Sequence, residues 1–273
     1  MRLVRKIRRI AVPGGRQKLI ILSPKAQAGP VPGILWIHGG GYMTGFAAMV
    51  YASCGRMLAK KYGAVVVSPG YRLSWRKPYP AALEDCYAAL EYMADHAEEL
   101  GIRKDQLIVG GESAGGGLAA AVCLYARDLG RIPIAFQIPL YPMLDCCDTP
   151  SSRDNHGHGW NTRKNHKGWR HYLGPLYGTA SVPKYASVAR ETDYAGLPPA
   201  YTYVQDGEPF LDETLAYIRN LQSAGIEASV DVFPGNVHGF DLIQFWTPNA
   251  KEAKQRLCRQ YARRFAPPES RSD

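Results

Sequence analysis

The stretch Gly111-Glu112-Ser113-Ala114-Gly115 constrains this chain more than any other. The apolar run Gln106-Leu107-Ile108-Val109 stands just ahead of it, and a small-residue run from Gly116 to Leu129 follows. That context predicts a strand, a sharp turn and a helix, with a serine at the tip of the turn. A serine held there takes a strained backbone conformation, and its flanks must lack side chains for neighbouring elements to pack. The turn lifts the Ser113 hydroxyl above the sheet edge. It also aims the first amides of the helix at the same point, where their partial positive charge suits an oxyanion.

The rest of the chain repeats the alternation of strand and helix. Val4 to Val12 and Lys18 to Leu22 read as two strands joined by Pro13-Gly14-Gly15, an antiparallel hairpin at a sheet edge. Ile34 to Ile37, Ala64 to Ser68, Ile134 to Ile138, Ala200 to Val204 and Ala228 to Phe233 read as further strands, most of them almost wholly apolar. Helices are expected over Ala47 to Lys61, from Pro80 to Gly101, from Leu211 to Ala224, and after Thr247-Pro248-Asn249, the last giving way to a polar tail at Pro267. Such a pattern predicts an α/β domain with a mainly parallel sheet covered by helices on both faces. Ligands of such sheets gather at the carboxyl ends of the strands. The Ser113 turn and His38-Gly39-Gly40-Gly41 both follow strands directly, so both are expected on that edge.

Residues 145–195 break this rhythm. The segment is polar, aromatic and basic, with Trp160, Trp169, Tyr172 and Tyr177 and no strand pattern. It is too long for an ordinary connection, and its aromatic residues favour a packed lid inserted into a single domain spanning 1–273.

Composition bounds the function. At 273 residues, 46% of them hydrophobic, the chain can bury a large core. No apolar run approaches a membrane span. The basic residues of Met1 to Ile10 are followed by no apolar region or cleavage site of a secretory signal, so a cytoplasmic location is expected. The net charge of +9 is spread over both termini and the stretch from Arg153 to Arg170, with no nucleic-acid-binding module. It reads as a mildly basic surface and implies no nucleic-acid partner. Cys54, Cys86 and Cys123 lie in apolar helical patterns, as reduced thiols do. The adjacent Cys146 and Cys147 lack metal or disulfide spacing, and His156, His158, His166 and His171 lack a partner set of known spacing. No metal or cofactor is expected.

A serine hydroxyl needs an imidazole to take its proton, and the imidazole needs a carboxylate to fix its tautomer. Along the chain, Ser113 precedes the acidic stretch Asp206-Gly207-Glu208 after one strand, and His238 after the last strand. Nucleophile, acid, base is the chain order of α/β-hydrolases. The acid is expected among Asp206, Glu208 and Asp212.

With these motifs in place, the chain resembles the hormone-sensitive-lipase-like branch of the α/β-hydrolases, a group of carboxylesterases and lipases. The resemblance runs through His38-Gly39-Gly40-Gly41, Tyr71-Arg72-Leu73, Tyr79-Pro80-Ala81-Ala82-Leu83-Glu84-Asp85, Gly111 to Gly116, Leu197-Pro198-Pro199-Ala200, Glu208-Pro209-Phe210-Leu211-Asp212-Glu213 and His238-Gly239-Phe240. It implies that Ser113 is the nucleophile, His238 the base and Glu208 the acid. Backbone N–H groups among Gly39, Gly40, Gly41 and Ala114 would form the oxyanion hole, with His38 organising the glycine loop. The family usually has aspartate where Glu208 stands. It also has Ala-Pro-Glu where Ser74-Trp75-Arg76 follows Tyr71-Arg72-Leu73, which removes an acidic group near the oxyanion strand. A helical segment that commonly forms half of the family's lid is shortened or absent ahead of the first buried strand. That implies an acyl pocket that is more open, or one covered by a partner subunit as in a homodimer.

The function these features imply is hydrolysis of small-molecule esters with short to medium acyl chains, through an acyl-enzyme. An amidase or arylformamidase on the same triad is the alternative, differing only in the leaving group. A small-molecule receptor on a hydrolase scaffold is a third reading, but such receptors of this branch lose the catalytic histidine, and His238 is present.

Overall fold

The computed structural model describes residues 1–266. The tail expected from Pro267 onward lies outside the described residues. In chain order the elements are β1 (Leu3–Val12), β2 (Gly15–Pro24), β3 (Val31–Ile37), α1 (Cys54–Tyr62), β4 (Val65–Pro69), α2 (Ala81–Asp95), α3 (Ala97–Leu100), β5 (Ile102–Glu112) and α4 (Ala114–Leu129). These are followed by β6 (Phe136–Leu140), α5 (Pro150–Arg153), α6 (Thr162–Leu173), β7 (Ala200–Gln205), α7 (Leu211–Ser223), β8 (Ala228–Phe233), α8 (Phe240–Ile243) and α9 (Pro248–Phe265).

The strands form one eight-stranded sheet in the order β1-β2-β4-β3-β5-β6-β7-β8. β1 and β2 are the expected edge hairpin, and β2 runs antiparallel to β4. Every pairing from β4 to β8 is parallel. Side chains alternate between the two faces, so each strand feeds two cores. Leu35, Ile37, Val65 and Val67 pack on one side with α2 and α4. Ile34, Trp36 and Val66 pack on the other side, where Leu58 of α1 and Leu257 and Tyr261 of α9 cover them. Burial on both faces is why these strands carry nearly continuous apolar sequence.

The register positions the candidate site. Ile37 at the end of β3 lies opposite Gly111 near the end of β5, and Glu112 lies opposite Leu140 of β6. The glycine loop and the serine turn therefore leave the sheet side by side. On the neighbouring strands Gln205 lies opposite Phe233, so the loops carrying Glu208 and His238 emerge at the same edge.

Three elements differ from the sequence reading. The helix expected from Pro80 to Gly101 is α2 and α3, separated at His96, whose backbone leaves the helical region (φ −106°, ψ 22°). The single helix expected over Ala47 to Lys61 is a 3-10 turn (Ala47–Ala52) followed by α1. Ser53 breaks it, because its extended backbone lets its hydroxyl accept the Arg56 amide as an N-cap. The segment 145–195 is strand-free among its described elements, as expected, but contains a 12-residue helix, α6. Asn165, Gly168, Trp169, Tyr172 and Leu173 form its buried stripe at helical spacing. A polar residue and a glycine inside that stripe mask its period. The stripe packs on Tyr42, just after the glycine loop, with Tyr172 stacked 3.9 Å and Trp169 5.5 Å from the Tyr42 ring.

Candidate active site

Ser113 has φ 59° and ψ −123°, a conformation that L-residues adopt only when the surroundings force it. Three backbone hydrogen bonds force it here. Ser113 N–H donates to Leu140 O (3.0 Å), and its carbonyl accepts from Gly117 N (2.9 Å) and Met143 N (3.1 Å). The flanking glycines are sterically obligatory. A Cβ on Gly115 would lie 2.2 Å from the Ile37 carbonyl oxygen, and one on Gly111 would lie 2.5 Å from the same atom. Because the Gly117 amide makes the first bond back to Ser113, the Ala114 N–H has no acceptor within its own helix.

The histidine loop is fixed from several sides. Val237 N–H donates to Gln205 Oε1 (2.8 Å), and His238 N–H donates to the His158 carbonyl (2.9 Å). Tyr141 and Phe210 stand edge-on to the His238 ring, at 5.1 Å and 5.0 Å. Held this way, His238 Nε2 lies 2.7 Å from Ser113 Oγ, and Nδ1 meets Glu208 Oε2 in a short hydrogen bond. A carboxylate only accepts, so Nδ1 carries the proton and Nε2 is free to accept from the serine hydroxyl. Glu208 is fully buried, and its other oxygen accepts the Gln205 amide at 2.8 Å. The alternative acids are turned to other work. Asp206 accepts the Gly235 amide, and Asp212 accepts the Ser151 amide.

Gly39, Gly40 and Gly41 line the same cavity as Ser113, His238 and Trp160, a space of about 410 Å³ with mostly apolar walls. Met49 and Ile243 line it where it opens to solvent. At Gly41 the backbone has φ +59°, and an added Cβ would lie 2.1 Å from the Trp160 ring. The indole therefore rests directly on the glycine loop. His38 lies behind that loop. Its Nδ1–H donates to Gly39 O at 2.8 Å, its ring stacks on Tyr71 at 4.2 Å, and burial pushes its pKa down to about 4. A neutral ring locked in this way organises the loop and has no proton to exchange near neutral pH.

Beneath Ser113 lies a buried polar layer that the sequence reading did not find. Asp241 accepts from the hydroxyls of Tyr141 (2.7 Å) and Tyr203 (2.8 Å), which fixes the Tyr141 ring against His238. Tyr141 itself has φ 33°, a second strained residue at this edge. Glu112 accepts the Trp36 indole N–H at 2.8 Å, and its carboxyl is pushed up to about 8 by burial first and by the nearby Asp241 second. The position of Asp241, three residues after His238, was a readable signal, since an acid inside an otherwise apolar turn must find buried donors.

The histidines without a partner set of known spacing, His156, His158, His166 and His171, lie apart in the structure. His156 pairs with Asp154 and His166 with Asp148, while His158 contributes its backbone to the His238 loop. Among the described residues, ligand atoms of three metal-binding side chains converge at Asp145, Cys146 and Cys147. No described helix is long and apolar enough to cross a membrane.

Residues 34–242 match the family described as alpha/beta hydrolase fold. Esterase LipI of Mycobacterium tuberculosis is 34% identical over 226 residues, which cover 82% of this chain and 70% of that protein. Carboxylesterase NlhH of the same organism is 31% identical over 236 residues, 83% of this chain and 72% of that protein. Among solved structures, one described as a bacterial heroin esterase superposes with a TM-score of 0.90 at 36% identity, covering 96% of this chain and 85% of that one. The chain belongs to the α/β-hydrolase fold family, in its hormone-sensitive-lipase-like branch of carboxylic ester hydrolases.

Proposed function

We propose that this enzyme hydrolyses small esters with short to medium acyl chains, using Ser113 as nucleophile, His238 as general base and acid, and Glu208 as the group that orients His238. The observation that carries the reading is the continuous line from Glu208 through His238 to a strained Ser113 in one cavity, with Ser113 Oγ 2.7 Å from His238 Nε2. In the first half-reaction Ser113 Oγ attacks the ester carbonyl while His238 Nε2 takes its proton. The buried Glu208 carboxylate stabilises the imidazolium that forms. Negative charge develops on the carbonyl oxygen, where the Ala114 N–H and amides among Gly39, Gly40 and Gly41 would receive it. His238 then protonates the departing alcohol, and the acyl group stays on Ser113. In the second half-reaction His238 deprotonates a water that attacks the acyl-enzyme, and Ser113 leaves with the proton returned.

The size and apolar lining of the cavity support a neutral acyl chain of modest length. Segment 145–195 acts as the lid in this reading, and Trp160 is the part of it that meets the glycine loop. Ser113→Ala is expected to abolish turnover of p-nitrophenyl butyrate and labelling by a fluorophosphonate probe, whose adduct on the wild type maps to Ser113. Turnover retained in that variant would remove the proposal. Matched anilide and ester substrates, run side by side, separate ester from amide hydrolysis.

A further inference from the structure

The group Asp145, Cys146 and Cys147 lies where the chain leaves β6 for the inserted segment, and the triad makes no use of it. Each of the three residues offers one ligand atom, a carboxylate oxygen or a thiol sulfur, and all three atoms lie within 4.8 Å of one another. Their backbone is tied down residue by residue. Glu213 Oε1 accepts the Leu144 and Asp145 amides (2.6 and 3.4 Å), Ser187 Oγ accepts the Cys146 amide (3.1 Å), and Asp145 Oδ1 accepts the Cys147 amide (2.9 Å). A loop anchored in this way presents its side chains with little ordering left to do on binding. The Arg190 guanidinium stands beside both sulfurs, although burial, with Cys146 and Asp145 beside it, still pushes the Cys147 thiol up.

We propose that Asp145, Cys146 and Cys147 form a site for a thiophilic divalent metal ion of the zinc class. Two thiolates and one carboxylate supply three protein ligands of the types zinc accepts, and the exposed side of Cys147 leaves the remaining position to water. Charge also balances, because the divalent ion and Arg190 together match the three anionic ligands. On binding, each thiol gives its proton to solvent as its sulfur bonds to the metal, so two protons are released per ion. A soft ion here would join the two cysteines at the root of the inserted segment, close to the point where Ser187 and Arg190 return to them.

The test uses the reduced full-length protein and two probes, Zn²⁺ and Cd²⁺. The other four cysteines, Cys54, Cys86, Cys123 and Cys258, are buried, so the readout of accessible thiols is clean. One Cd²⁺ per chain is expected to produce a thiolate-to-cadmium charge-transfer band. Zn²⁺ should displace it and mask the two fast-reacting thiols from a chromogenic disulfide reagent. Cys146→Ser and Cys147→Ser should each lose the band. Asp145→Asn keeps the oxygen that accepts the Cys147 amide, so it should retain the band and bind at least roughly tenfold more weakly. Absence of the band, its survival in Cys147→Ser, or wild-type affinity in Asp145→Asn would each overturn the site. Circular dichroism of the variants identifies any loss that comes from misfolding, and Cys147, exposed on the surface, supplies a substitution that the fold tolerates.

Discussion

Replacing Glu112 with glutamine isolates one charge. The side chain is 5% exposed, Oε1 accepts the Trp36 indole N–H at 2.8 Å, and glutamine offers the same oxygen at the same reach with no proton to lose. In the folded protein the carboxyl is raised from 4.5 to about 8, by burial and then by Asp241. The folded state therefore binds more protons than the unfolded chain between those values. The stability this contributes is fully present below the unfolded value and is lost as pH rises towards 8. Each pH interval of one is worth about 1.4 kcal/mol, so from about pH 5 to about pH 8 the wild type should lose roughly 3–4 kcal/mol relative to Glu112→Gln. Denaturant unfolding of both proteins across this range measures the difference directly. A kinetic consequence accompanies it. Glu112 lines the cavity with Ser113, and once ionised it sets a negative charge against the developing oxyanion. The kcat/KM for a neutral ester should therefore fall above about pH 8 in the wild type and hold in Glu112→Gln. Parallel stability profiles for the two proteins would refute the reasoning.

Glu208→Gln should lower kcat by roughly 10³–10⁴, because the imidazole loses its tautomer and its counter-charge, while Asp206→Asn and Asp212→Asn stay close to wild type. Steady-state kinetics on all three variants decides whether the acid is the residue that meets His238. Gly41→Ala should reduce kcat/KM through the collision with Trp160 and the positive φ, and adding Trp160→Ala should recover part of the loss. His38, held down at about 4 by burial, acts on the acid side. Its contribution is present above about 6.5 and is lost as pH falls towards 4, about 3 kcal/mol across that span, which His38→Gln should flatten in the same unfolding measurements.

Much of this molecule was legible because its sequence states its constraints locally. The glycines around Ser113 are demanded by contacts with Ile37 O, and the wholly apolar strands by burial on two faces. Chain order brought Ser113, Glu208 and His238 into one scheme, and the parallel register explains why order along the chain became proximity at one edge. Less legible were features that depend on partners distant in sequence. The helix Thr162–Leu173 was hidden because Asn165 and Gly168 occupy its buried face, where Asn165 accepts the Trp160 indole N–H and Gly168 lets the helix approach the Gly41 carbonyl. Asp241 and Tyr141 form a pair a hundred residues apart, and no local pattern encodes it. Cys146 and Cys147 offered no spacing signal, because the third member of their group is the residue immediately before them, and Glu213 and Ser187, both distant in sequence, hold the Asp145 and Cys146 amides.

The bond from His238 N–H to the His158 carbonyl links the proposed base to the inserted segment, reinforced by the reciprocal bond from His158 N–H to Asn236 O. Ser113 answers to the sheet, whereas His238 answers partly to a segment outside it. Local opening of residues 145–195 would thus separate base from nucleophile while the eight-stranded sheet stays intact. On heating, activity should vanish at a lower temperature than the cooperative loss of sheet structure, and it should return on cooling from that interval. Thermal tolerance of the catalyst is then a property of the segment around His158, and reinforcing the sheet alone would leave it unchanged.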